Sequence, residues 1–185
     1  MIVWISGAYG VGKSTLAEAL VNKIDNAIIF DAEIVGDAVR ENYPDEPYGV
    51  IYEDYPLWCE FNYMLLKDVH NTLHHNILVP MTMVRRNSYD KIIQRLLDDG
   101  IDIKLIILDG SYQCVHDRIL ARGEEEGCWC MENIEMSSNG SKAVQNGYHI
   151  LTDNKTVDEL TRIALEYLGV QDTYKPIPNC RAQVK

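Results

Sequence analysis

Met1-Ile2-Val3-Trp4-Ile5-Ser6-Gly7-Ala8-Tyr9-Gly10-Val11-Gly12-Lys13-Ser14 is the stretch that decides the fold. Met1 to Ile5 is a short apolar run that reads as a first strand, and Ser14 to Lys23 carries Leu16, Ala19 and Leu20 at helical spacing. Between them Gly7 to Ser14 matches G-x-x-x-x-G-K-[ST] completely, in the strand-then-helix context that separates a working loop from a chance match. Glycines let the backbone curl so that amides point inward at phosphate oxygens, and the following helix adds its positive end. Lys13 is placed to bridge the β- and γ-phosphates as a point charge, and the Ser14 hydroxyl to give one ligand to magnesium. The expected cradle of ATP with magnesium is therefore Gly7, Ala8, Tyr9, Gly10, Val11, Gly12, Lys13, Ser14 and Thr15. A plain strand-to-helix turn would not require Lys and Ser at those offsets.

Outward from this loop, short apolar runs alternate with amphipathic segments, the pattern of a parallel sheet covered by helices. Ala27 to Phe30, Ile77 to Val79, Ile103 to Leu108 and Tyr148 to Leu151 supply four further strands. Leu57, Phe61, Met64 and Leu65 mark a helix that Pro56 can open. Ile92, Ile93, Leu96 and Leu97 mark another, and so do Val115, Ile119 and Leu120. Leu160 to Leu168 forms the last, stopped by Gly169. The fold class is α/β, a three-layer α/β/α sandwich on a five-stranded parallel sheet. Two stretches break the rhythm: 42–54 is dense in proline, tyrosine and acid, and 123–147 mixes glycine, glutamate, serine and asparagine. Both are expected to be movable elements over the site, the second as a lid.

The chain is 185 residues long, enough for one compact domain, here taken as 1–172 with a tail at 173–185. Its 17 basic and 28 acidic side chains leave a formal charge of −11, which repels nucleic acid and anionic lipid, so phosphate must be captured locally. Residues 1–6 run directly into the loop, leaving no room for a signal peptide, and no apolar run approaches the roughly 20 residues of a spanning helix. The expectation is a cytoplasmic monomer or homodimer whose partners are ATP and a small-molecule acceptor. Cys59, Cys114, Cys128, Cys130 and Cys180 are odd in number and scattered, a poor disulfide framework. Cys128-Trp129-Cys130 lacks the second ligand pair a structural zinc needs, and His74-His75 reads as surface. No Asn-Lys-x-Asp tetrad marks a guanine reader.

Strand two ends in Phe30-Asp31-Ala32-Glu33, two carboxylates on a strand expected beside the phosphate loop. Asp31 suits a general base or acceptor orienter, with Glu33 as a further substrate contact; the bland reading is a helix cap at Asp31 with Glu33 as a first-turn acid. Asp109 closes an apolar strand and is read either as a magnesium orderer or as a cap before Ser111. Arg118 and Arg122 lie four apart on one helix face, set to stack on the nucleobase and neutralise transferred phosphate, or else to form a solvated face.

The succession from Ile2 to Ser14, then Asp31, Tyr55-Pro56-Leu57-Trp58, Phe61-Asn62-Tyr63, Val79-Pro80-Met81-Thr82 and Thr152-Asp153-Asn154 resembles the bacterial tunicamycin-resistance ATP-binding proteins. More widely the chain is similar to the small P-loop kinases for adenylate, shikimate, gluconate and chloramphenicol. The resemblance implies an acid after strand two meeting the acceptor, as Asp31 would, and a lid arginine over ATP, as Arg118 or Arg122 would. It further implies a nucleotide contact at Asp153 and Asn154 and an acceptor cleft with Tyr55, Trp58, Tyr63 and Thr82. Pro80-Met81-Thr82 stands where nucleotide kinases carry a glycine-arginine motif, which makes a nucleoside monophosphate a poorer acceptor. The resulting expectation is a phosphotransferase acting on a small-molecule hydroxyl and conferring tunicamycin resistance. The alternatives are an ATP-dependent protein that binds the antibiotic without chemistry, and a kinase for an ordinary metabolite.

Overall fold

The computed structural model describes residues 1–45, 47–144 and 146–171. Strands β1 (Ile2–Gly7), β2 (Ala27–Ile29), β3 (Asn76–Pro80), β4 (Ile103–Asp109) and β5 (Tyr148–Leu151) form one sheet in the order β2-β3-β1-β4-β5. Every pairing is parallel, with Val3 opposite Leu78 on one side and Lys104 on the other. All six residues of β1 are buried, the near-continuous apolar pattern of a strand covered on both faces. The period of two splits them: Val3 and Ile5 enter one core with α1 (Lys13–Val21) and α9 (Val157–Leu168). Ile2 and Trp4 enter the other with α2 (Ala32–Arg40) and α3 (Pro56–Leu73).

The second layer continues through α4 (Arg86–Tyr89), a π turn at Asp90–Gln94 and α5 (Arg95–Asp98). After β4 come α6 (Tyr112–Ala121), α7 (Trp129–Glu132) and α8 (Ile134–Val144). Local chemistry sets several ends. Pro56 opens α3, the Ser111 hydroxyl accepts from Cys114 N at 3.3 Å, and Thr156 with Glu159 makes a capping box closed at Gly169.

Two expectations need correction. β2 is an edge strand and β3 lies between it and β1, so Asp31 and Glu33 do not follow a neighbour of the phosphate loop. Within 123–147, which shows little apolar periodicity, the structure has α7 and α8. Met131 and Ile134 sit in the first core, and Ser137 and Ser141 are buried. A Cβ on Gly140 would lie 2.6 Å from Val84 Cβ, so small residues rather than an apolar stripe bring α8 close. Among the described residues of 42–54 only Tyr52–Asp54 is regular, as a short 3₁₀ turn. Among the described residues no helix is long and apolar enough to cross a membrane. The tail at 173–185, with Cys180, lies outside the described residues.

Candidate functional site

The order of the sheet places β1 at its centre, with later strands on both flanks, and the phosphate loop leaves its carboxyl end at this switch point. The loop is closed by Val11 N donating to Ala8 O at 3.2 Å. Gly10 has φ +80° and a Cβ there would sit 2.4 Å from Ile119 Cγ1, so both conformation and space require glycine. Gly12 has φ +108° and nothing within 4 Å of where a Cβ would be, which leaves the loop's face open to a ligand. Lys13 Nζ folds back to donate to Ala8 O at 2.9 Å and Gly7 O at 3.4 Å. Burial pulls its ammonium down from the usual lysine range to about 8, against the opposing pull of Glu33.

A cavity of about 630 Å³ opens over this loop, bounded by Tyr9 to Thr15 on one wall. Its size is that of a small-molecule site. Ser14 and Thr15 are exposed on that wall, whereas Gly7 and Ala8 do not line it and their carbonyls accept from Lys13. Arg118 lines the cavity while its guanidinium donates to Val11 O, Thr152 Oγ1 and Thr152 O, each at 2.9 Å. It thus ties the phosphate loop to the end of β5. Arg122 lines the same cavity with its guanidinium in contact with Glu124, which also accepts from Cys128 Sγ at 3.1 Å.

The structure separates the paired carboxylates. Asp31 Oδ1 accepts from Glu33 N at 2.9 Å as the cap of α2, and its side chain is exposed. Glu33 lines the cavity, with its side chain also open to solvent; partial burial first, then Asp31 and Asp37, push its carboxyl above the usual range, with Lys13 and Arg122 acting the other way. The capping turn directs Asp31 back to its own backbone, and of the two carboxylates Glu33 is the one that lines the cavity.

The structure does not bring the residues expected for the acceptor cleft together at the phosphate loop. Tyr55 is 1% exposed and donates from its hydroxyl to Gly49 O at 2.9 Å; Trp58 is 0% exposed and donates from Nε1 to Ala32 O at 2.9 Å. Both are core residues holding α2 and α3. Tyr63 donates to Asp99 Oδ2 at 2.8 Å beneath the Arg95 guanidinium, in a cluster away from the phosphate loop. Thr82 is buried and donates from Oγ1 to Gly7 O at 3.0 Å, so it braces the loop. Asp153 accepts from Ser111 N at 2.9 Å, which lowers its carboxyl below the usual range, and Asn154 takes φ +56° in the following turn. Their neighbours Lys155, Thr156 and Val157 line the cavity instead. Asp109 is held by His149 Nδ1 at 2.8 Å and faces Lys142 at 3.5 Å, a structural pairing at the β4–β5 edge.

Sequence reasoning missed two features. Trp129 packs its ring 4.8 Å from that of Tyr9, and Tyr9 N donates to Ser137 Oγ at 3.2 Å, so α7 and α8 lean on the phosphate loop. Glu53, 5% exposed, accepts from Val84 N at 2.8 Å and Arg85 N at 2.9 Å. Neither has a local signature, since the partners lie tens of residues apart.

Among the described residues no three His, Cys, Asp or Glu side chains converge as a metal cage. A magnesium ion would instead be held by the Ser14 hydroxyl, phosphate oxygens and water, a hard all-oxygen set that the exposed Ser14 fits.

The architecture, with this loop at the centre of a 2-3-1-4-5 sheet, recurs in known structures. The chain has the P-loop kinase fold. The Deinococcus radiodurans tunicamycin resistance protein matches with TM-score 0.75 and 20% identity over 92% of this chain and 96% of that one. A Sinorhizobium meliloti gluconokinase gives 0.66 and 15% over 90% of each chain. The Mycobacterium tuberculosis APS kinase in complex with AMPPNP and APS gives 0.56 and 18% over 91% and 96%. No protein-family model matches the chain, and no curated sequence does. At these identities the likeness to other P-loop kinase folds is one of architecture.

Proposed function

We propose that the chain is an ATP-dependent phosphotransferase acting on a hydroxyl of a small molecule, with a nucleoside-type antibiotic such as tunicamycin as the leading acceptor. The observation that carries this reading is a carboxylate, Glu33, facing the same cavity as Lys13 and Ser14 of the phosphate loop. A site built only to hold ATP needs cations and amides; a carboxylate there opposes phosphate unless it meets a hydroxyl or a cation. The tunicamycin resistance protein of matching fold supports the choice of acceptor, and the matching kinases support the reaction class.

In this mechanism Lys13 leaves the carbonyls of Gly7 and Ala8 and moves onto the β- and γ-phosphate oxygens. Arg118 fixes the loop, and Arg122 exchanges Glu124 for charge developing on the transferred group. Glu33 accepts the proton as the acceptor oxygen bonds to the γ-phosphorus and the bond to the ADP oxygen breaks. Its raised affinity for protons suits that role. Magnesium, when bound at Ser14, neutralises phosphate charge. Incubating the protein with magnesium, ATP and tunicamycin and weighing the antibiotic by mass spectrometry tests the proposal: one added phosphoryl group supports it. Antibiotic recovered at its original mass while bound to protein would favour sequestration without chemistry.

A further inference from the structure

We infer that Glu53 is a positioning residue for the phosphate loop, acting through residues 81–85; this rests on the reading of that loop as a nucleotide site. The segment continues β3 beyond the sheet and is clipped on two sides. Toward β1, Met81 N donates to Ile5 O at 3.0 Å, Thr82 Oγ1 to Gly7 O at 3.0 Å and Met83 N to Ser6 Oγ at 3.1 Å. On the other side, Val84 N and Arg85 N donate to the two oxygens of Glu53. Gly7 O also receives Lys13 Nζ, so three hydrogen bonds and the backbone from Thr82 to Val84 connect the carboxylate to the ammonium. Among the described residues no strand lies beyond the edge of that segment, and Glu53 accepts from both of its consecutive N–H groups.

The clip depends on charge. A carboxylate offers a lone pair to each N–H, whereas a carboxylic acid puts its own proton against one of the donors. Burial raises the Glu53 carboxyl to about 7, in spite of the two backbone bonds and the Ser88 hydroxyl that favour the anion. The charged and titratable groups that face it are Arg85, whose guanidinium is paired with Asp54, the Tyr9 phenol of the phosphate loop and the Cys59 thiol of α3. The sign gives two opposed trends. Because the folded-state value is raised from 4.5, this group favours folding most below about 4.5 and the contribution is lost as pH rises through about 7. Nucleotide affinity follows the anion and rises over the same interval.

Binding of MgATP by calorimetry between pH 6 and 8.5, on wild type, Glu53→Gln and Thr82→Val, is the test. In Glu53→Gln one oxygen still accepts while the amide opposes the second N–H, as in the protonated acid. The expected result is that the wild-type Kd weakens on the order of tenfold from pH 8 to pH 6 once the titrations of the nucleotide and of Lys13, common to all three proteins, are allowed for. Glu53→Gln should bind on the order of tenfold more weakly than wild type at pH 8, match it at pH 6, and lose that extra dependence. Thr82→Val, which cuts the link to Gly7, should lose it too while Glu53 is intact. Thermal unfolding of each protein over the same range shows that it is folded, and wild type relative to Glu53→Gln should gain stability as pH falls. Parallel pH profiles in wild type and Glu53→Gln would overturn the inference and leave the nucleotide site standing. Absence of MgATP binding at every pH would overturn both.

Discussion

Lys13 offers a way to read the phosphate site without knowing the acceptor. Burial draws its ammonium down to about 8 in the free protein, and two backbone carbonyls with the opposing pull of Glu33 do not make up for the lost water. A phosphate oxygen about 4 Å away contributes roughly 4 kcal/mol at an effective dielectric of about 20. At 1.36 kcal/mol per unit this raises the group by about three units, to roughly 11. At Lys13, binding at pH 8 must therefore draw about 0.5 proton, and at pH 7 only about 0.1, since the free group is already mostly charged there; proton release from Glu53 runs the other way and is small at pH 8. Above pH 8 the Kd for MgATP should weaken toward about tenfold per pH unit. Isothermal titration calorimetry in two buffers of different protonation enthalpy measures the uptake directly. An uptake below about 0.1 proton at pH 8 would mean either that Lys13 is already an ordinary solvated lysine or that it does not meet phosphate, and would refute the reasoning.

Two further outcomes probe the scaffold around the loop. Gly10→Ala adds a methyl 2.4 Å from Ile119 Cγ1 at φ +80°, so about 2–5 kcal/mol of destabilisation is expected in urea unfolding, and Ile119→Ala should relieve the packing part; equal costs in both backgrounds would contradict the contact. Trp58→Phe removes the donor to Ala32 O and should cost about 1–3 kcal/mol while leaving the acceptor's KM unchanged; a higher KM with unchanged stability would restore Trp58 to the acceptor cleft.

The phosphate loop and the five strands were legible because their signals are local: a complete motif over eight residues, and apolar runs bounded by polar segments. What failed was long-range. Tyr55 and Trp58 look like ligand-binding aromatics as letters, but burial on α2 and α3 is a tertiary property that spacing does not report. Asp31 and Glu33 stand two residues apart, and only the capping turn decides which one faces the cavity. The small residues Ser137, Gly140 and Ser141 hide α8 from any apolar count while bringing it against the phosphate loop and Val84. Glu53 finds its donors about thirty residues downstream, beyond the reach of any window.

The central claim is phosphoryl transfer with Glu33 as proton acceptor, and it is tested most directly by the mass of tunicamycin after incubation with MgATP and wild-type, Glu33→Gln or Asp31→Asn protein. The account predicts one added phosphoryl group with wild type and, because Asn caps a helix as well as Asp, with Asp31→Asn at nearly the same rate. Glu33→Gln should bind MgATP with little change yet transfer on the order of 10²-fold more slowly. Unmodified antibiotic in every reaction, or full transfer by Glu33→Gln with loss in Asp31→Asn, would contradict it.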